Sequence, residues 1–295
     1  MKRMKGIFLL LAANILIMVT LSVTVPILIN VILPMFGIDL RGSIDLSSLV
    51  WAALFGFGGA FISLAFSKQM ARAMLDCQQI TQPRSHAEQV IYGSVQEIAQ
   101  RLHINMPEVW IYDSQDPNAF ATGPSKNNSM VAVSTGLLQN LKEDEVKAVL
   151  AHEMGHVYNG DMFATTVLAG LMNTFVYYIA MWVRRFFAER DQAALGFGLS
   201  LVLQIVVSIL ASILINWFSR HREYGADAFS ARVYGKDSMI SALRAIDRWV
   251  TRSQVAYSPQ DALATMKISG KTGGGVSPFS THPPIEARIA ALERL

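Results

Sequence analysis

The sequence predicts a mainly α-helical membrane protein, with four apolar helices attached to a cytoplasmic α+β domain that holds a small sheet and a His-Glu-x-x-His helix. Three observations predict it. Of the 295 residues, 52% are hydrophobic and only 16% charged, against about a quarter charged in ordinary soluble domains. The deficit is concentrated in four uncharged runs, each close to or above the roughly 20 residues that a helix needs to cross a bilayer. Outside those runs the pattern turns amphipathic, and one helical stretch, residues 144–159, carries His152, Glu153 and His156.

The first run, residues 6–33, follows Lys2, Arg3 and Lys5 and is uncharged over 28 residues. A signal peptide starts the same way, but its apolar core spans only ~7–15 residues. The run therefore reads as a retained transmembrane helix that Pro26 and Asn30 bend or shorten near its far end. Residues 49–66 form the second run, with Gly56, Gly58 and Gly59 as small residues that let membrane helices approach closely. Lys68 and Arg72 follow at once, whereas the connection between the two runs holds Asp39, Arg41 and Asp45 and is net negative. Because positive charge marks the cytoplasmic side, both outer flanks of this hairpin belong there. The overall net charge of +3 is modest. Its placement beside apolar runs points to an anionic membrane surface and not to nucleic acid. Cys77 is the single cysteine, which excludes an internal disulfide and suits a reducing compartment.

Residues 85–102 read as an amphipathic helix. Ser85 and Glu88 have capping-box spacing, and Val90, Ile91, Val95, Ile98 and Leu102 recur at helical intervals. His86 and His103 bracket it as solvated residues. Residues 109–112, 118–123 and 129–134 read as extended, with a turn over 124–128. The last of these precedes the motif helix, and two readings stay open for it: an exposed edge that pairs with an extended peptide, or an ordinary hairpin strand. Residues 163–183 and 193–218 are the third and fourth runs. Arg184, Arg185, Glu189, Arg190 and Asp191 between them make a net positive loop, which a non-cytoplasmic loop should avoid. This second hairpin thus either spans or lies partly buried against the catalytic part. Further helices are expected over 220–227, 237–251 and, opened by His282-Pro283-Pro284, over 285–295. Residues 267–281, with Gly270 and Gly273 to Gly275, are expected to form a mobile loop. The resulting division is an N-terminal transmembrane hairpin (1–67), a cytoplasmic part with the motif helix (68–162), a second transmembrane hairpin (163–218) and a cytoplasmic C-terminal part (219–295).

Helical residues four apart share a face, so the His152 and His156 imidazoles stand side by side with Glu153 next to them. Two neutral imidazoles can grip a zinc ion, and the glutamate can take a proton from a water that the ion activates. A catalytic zinc needs a third protein ligand and leaves one position to water. Glu223 and Asp227 are also four apart. Glu223 is the preferred third ligand, because Asp227 can then accept a hydrogen bond from a ligand imidazole and fix its tautomer. His221 points nearly to the opposite side of that helix. The plain alternative for the Glu223 region is a solvated Arg-Glu cluster at a membrane boundary. At ~1.5 Å per residue, His156 and Glu223 fall within roughly 10 Å of the apolar runs, which expects a metal at the membrane surface.

His152-Glu153-x-x-His156, Glu223-x-x-x-Asp227, Asn118-Ala119-Phe120-Ala121 and His282-Pro283-Pro284 together resemble the HtpX-type membrane zinc endopeptidases, relatives of the CAAX prenyl proteases. The resemblance covers essentially the whole chain. It implies a zincin-like catalytic domain on the cytoplasmic side of a bacterial inner membrane, one zinc per chain, and cleavage of misfolded or damaged membrane proteins under heat-shock or envelope stress. Carried over, His152, His156 and Glu223 are ligands, Glu153 is the catalytic base, and His282 and Arg288 lie near the active site. His282 is then a candidate donor to the oxyanion with Arg288 as helper, or else a helix-start residue that packs the C-terminal segment; Asn118 is a candidate for holding substrate backbone. The expected partners are membrane-protein or unfolded-protein substrates and the lipid bilayer, with no nucleic acid. Three rivals stand beside this reading. A prenyl-protein protease needs a lipid chamber, for which four apolar runs are few. A non-enzymatic scaffold with structural zinc would want four protein ligands, often cysteines. A zinc transporter would carry ionisable residues within its spans, and these runs have none.

Overall fold

The computed structural model describes residues 46–253 and 280–295, together with Ile27, Val31 and Met35. Nearly all of the first apolar run and most of the glycine-rich loop expected over 267–281 lie outside the described residues. In chain order the elements are α1 (Leu46–Ala65), α2 (Ser67–Leu75), β1 (Gln78–Gln79), α3 (His86–Arg101), β2 (Glu108–Tyr112), β3 (Ala119–Ser125), β4 (Asn128–Ser134), α4 (Thr135–Asn140), α5 (Glu143–Asn159), α6 (Asp161–Ala188), α7 (Ala193–Tyr234), α8 (Lys236–Ser253) and α9 (Ile285–Glu293). They divide into two units, Met1–Phe61 with Val167–Ala211 and Ile62–Thr166 with Ser212–Leu295.

The first unit is built from the apolar parts of α1, α6 and α7. Among the described residues, three helices are long and apolar enough to cross a membrane: Ser48–Ala65, Asp161–Ala188 and Ala193–Tyr234. α1 meets α6 through small residues. A Cβ on Gly56 would stand 2.5 Å from the Thr174 backbone nitrogen, and one on Gly170 would stand 2.5 Å from the Phe57 ring. Among the described residues nothing stands within 4 Å of a Cβ on Gly58 or Gly59, so within this described set only Gly56 of the three α1 glycines is in close contact. The polar connection after α6 is shorter than the charge pattern suggested. Arg184 and Arg185 still lie on the helix, where Arg184 Nε donates to Ser200 Oγ at 2.8 Å. The fourth run and the helix expected over 220–227 form one continuous helix of 42 residues.

The second unit holds a four-stranded mixed sheet in the order β1-β2-β4-β3. β2 and β4 run parallel, with Glu108 opposite Met130 and Tyr112 opposite Ser134. β3 and β4 form an antiparallel hairpin with a bulge between Thr122 and Ser125. Gly123 sits in that bulge at φ 147°, where a Cβ would collide with the Asn128 carbonyl oxygen at 2.4 Å. This order decides between the two readings left open for residues 129–134, in favour of the hairpin strand. The strand over 129–134 is interior, flanked on both sides, and among the described strands the edges are β1 and β3. The parallel crossover from β2 inserts β4 beside it, and local pattern does not carry that information.

Ile91, Val95 and Ile98 of α3, Val131 and Val133 of β4, Leu150 and Met154 of α5, and Leu243 and Ile246 of α8 form one core cluster. Between Glu145 and Val157 every residue of α5 except Lys147 and His156 is buried, and the buried set includes the polar Glu145, His152 and Glu153. α3 starts as its sequence dictates: the Ser85 hydroxyl accepts from the Glu88 backbone N–H at 3.2 Å. His86 is exposed and contacts Glu143 at 3.1 Å.

Candidate metal centre

Two local features of α5 aim its histidines. Gly155 leaves room for α7, since a Cβ there would lie 3.3 Å from the Ala226 Cα and 3.2 Å from the Phe229 ring. The Ser230 hydroxyl donates to the Ala148 carbonyl at 2.6 Å and ties the two helices together. α7 therefore lies close along α5, with Glu223 opposite the imidazoles. At the other end, Gly160 closes α5 in the left-handed conformation, φ 71° and ψ 33°. α6 begins at once with Asp161, whose carboxylate meets His156.

His152 Nε2 and His156 Nε2 are 3.2 Å apart. Glu223 Oε1 is 3.2 Å from His156 Nε2, and Oε2 is 3.5 Å from His152 Nε2. Tetrahedral ligands about 2.0–2.1 Å from a zinc ion are separated from one another by about 3.3 Å, so the three groups have the spacing the ion requires. The outer ring nitrogens support the same reading. His152 Nδ1 lies 2.9 Å from Asp227 Oδ1, and His156 Nδ1 lies 2.6 Å from Asp161 Oδ2. An ionised carboxylate only accepts, so each Nδ1 carries a proton and each Nε2 lone pair is free to bind a cation. Glu223 Oε2 and His282 Nδ1 are buried, 2.7 Å apart, yet neither makes an aligned hydrogen bond. Polar atoms left in that state suit a site built around an ion.

The electrostatics agree. Glu153, Asp161, Glu223 and Asp227 are buried carboxylates, and Arg222 and Arg288 are the guanidinium groups beside them. With neutral imidazoles the cluster has two negative charges in excess, which a divalent cation balances. Without a cation, protons feel the same field. Burial disfavours charge on His156, but Asp161 and Glu223 prevail and push its pKa up to about 10. Burial opposes charge on His152 too, and Asp227 and Glu223 overcome it and raise its pKa. Burial raises the carboxyl of Glu153, with His152 and His156 pulling it back.

The remaining expected residues fall as follows. His282, largely buried, touches Glu223 as described. Arg288 is 0% exposed, and its Nε and Nη2 grip both Asp227 oxygens at 2.8 and 2.6 Å. It also lies 3.4 Å from Glu223 Oε2. A guanidinium engaged in this way braces Asp227 beside the cluster. Asn118 is buried just ahead of β3, with its amide donating to the Tyr112 hydroxyl at 3.0 Å, so it is occupied within the fold. His221 is exposed and contacts its own helix at the Trp217 carbonyl. Asp161 and Arg222 escaped the sequence reading. The available signal was a carboxylate directly after Gly160, where the helix stops.

A model of "Peptidase family M48" matches residues 85–295. Relatives named "Protease HtpX" resemble the chain over nearly its full length. The one from Pasteurella multocida is 44% identical, covering 96% of this chain and 98% of its own. The one from Tolumonas auensis is 45% identical, covering 99% of this chain and 100% of its own. Among solved structures, the crystal structure of S. mikatae Ste24p superposes with a TM-score of 0.61 at 18% identity, covering 98% of this chain and 67% of that one; at this identity the likeness concerns the fold alone. Full-length relatives and the family match together establish that this membrane metalloprotease belongs to peptidase family M48.

Proposed function

We propose that the chain is a zinc-dependent endopeptidase of the bacterial inner membrane that cuts misfolded or damaged membrane proteins as a stress response, with its active site on the cytoplasmic side. The observation that carries the chemistry is the convergence of two Nε2 atoms and one carboxylate within 3.5 Å of one another, each imidazole backed by its own carboxylate. His152, His156 and Glu223 hold a single zinc. Bound there, zinc supplies a Lewis acid for the attacking water and the scissile carbonyl. Glu153 accepts the proton of that water and delivers it to the departing amine. His282 donates a hydrogen bond to the carbonyl oxygen as charge develops on it. Asp227, gripped by Arg288, holds the His152 ring. β3 pairs on one side only among the described strands, and its free edge supports an extended substrate adding as a further strand. Lys68 and Arg72, directly after an apolar helix, support the cytoplasmic orientation.

The test compares purified wild type with Glu153→Gln and His282→Ala on an unfolded protein such as casein and on a prenylated peptide. Glu153→Gln should keep one zinc per chain and lose at least about 10²-fold in rate. His282→Ala should keep zinc and lose about 10²–10³-fold in kcat. Full cleavage by Glu153→Gln would overturn the mechanism. Efficient cleavage of the prenylated peptide alone would favour the prenyl-protein reading.

A further inference from the structure

Each imidazole of the centre is tied through Nδ1 to a carboxylate from a different helix, and each carboxylate is braced by an arginine. For His152 the pair is Asp227 of α7 with Arg288 of α9. For His156 it is Asp161 of α6, whose Oδ2 lies 2.6 Å from Nδ1 and whose Oδ1 accepts from Arg222 Nη2 of α7. Asp161 is buried at 7% exposure. We propose that Asp161, braced by Arg222, is the positioning residue for His156 and through it sets the affinity of the centre for its metal. The inference rests on the metalloprotease reading above.

The geometry assigns three effects to this one carboxylate. It fixes the His156 tautomer, because a carboxylate can only accept from Nδ1, and so it presents the Nε2 lone pair to the ion. Its negative charge makes the imidazole a stronger donor to a cation. It also sets the face that α7 presents. Arg222 directly precedes Glu223, and consecutive helical residues point about 100° apart. With Arg222 held on Asp161, Glu223 is turned towards the imidazoles. A change at Asp161 therefore reaches two of the three ligands, His156 directly and Glu223 through Arg222. The position at the head of α6 is what allows this. Gly160 ends α5 in the left-handed conformation, and Asp161 meets the last turn of that helix only five residues after His156.

The experiment measures zinc affinity by chelator competition, and the visible absorption of the cobalt-substituted protein, for full-length chains in detergent. All variants are made on a Glu153→Gln background so that self-cleavage does not intervene. Asp161→Asn, nearly the same shape without the charge, should bind zinc about tenfold more weakly, and Asp161→Ala up to about a hundredfold more weakly. Both should shift the cobalt bands. Arg222→Gln should weaken binding by an intermediate factor, and Arg222→Lys should restore part of it. If Asp161 serves only the start of α6, the variants lower the melting temperature while zinc affinity and cobalt bands stay at background values, and the inference is overturned. Should Asp161→Ala fail to fold, Asp161→Asn decides alone on the same two readouts. A Glu153→Gln parent that binds no stoichiometric zinc would instead overturn the metalloprotease site itself, before any Asp161 variant is measured.

Discussion

At the scale of single residues, the centre concentrates buried charge that is tolerable only because it is paired. Arg288 is the clearest case. Burial opposes its charge, but Asp227 and Glu223 beside it raise its pKa further above the usual arginine range. Arg288→Met should leave Asp227 buried without its cation and lower stability by about 3–5 kcal/mol, read as a fall in melting temperature of the detergent-solubilised protein. Arg288→Lys should recover only part, because an ammonium cannot fork onto both carboxylate oxygens. An unchanged melting temperature in the Met variant would show that the pair contributes nothing. His152, Glu153 and His156 were legible in the sequence because helical spacing alone puts them together, and Glu223 with Asp227 for the same reason. Asp161 was not, because its contact depends on a left-handed glycine that ends α5, and a periodicity argument stops at the helix end.

At the scale of elements, α2 shows how a short helix is fixed to the sheet. Lys68 Nζ lies 2.8 Å from Glu108 Oε1, Arg72 donates to Oε2, and the Trp110 indole donates to Oε2 at 3.1 Å. Burial pushes the Glu108 carboxyl up, but Lys68, Trp110 and Arg72 prevail and hold it below the usual value of 4.5. A depressed carboxyl contributes stability above its unfolded pKa and loses it as pH falls through the folded value. Glu108→Gln should therefore destabilise by about 0.5–1 kcal/mol at pH 7, the cluster being part-exposed, and the gap to wild type should narrow as the pH falls below the usual carboxyl value of 4.5. Melting curves at pH 7 and below that value check this; a gap that widens in acid would contradict it. Helices were the more legible elements, since their apolar stripes are local. Three of the four strands were legible, but neither the two-residue β1 nor the strand order was, because the pairing of β1 with β2 and the parallel pairing of β2 with β4 are long-range choices.

At the scale of the whole molecule, three long apolar helices and near-full-length relatives make this a membrane protein, and its orientation gives a direct test. Cys77 is the only cysteine and lies shortly after Lys68 and Arg72, half-buried, with burial raising its thiol pKa. At mildly alkaline pH, a membrane-impermeant maleimide should label it in inside-out vesicles and leave it unlabelled in sealed right-side-out ones. Labelling from the outer face would reverse the cytoplasmic assignment.

The placement of Arg288 has a consequence in time. It lies 61 residues beyond the Asp227 that it neutralises, so a ribosome adding about 5–20 residues per second takes roughly 3–12 seconds to go from one to the other. Throughout that interval the motif helix and the glutamate helix have been translated, but the guanidinium that braces the Asp227 carboxylate has not. The buried charge cluster is therefore completed only after all four apolar runs have been translated.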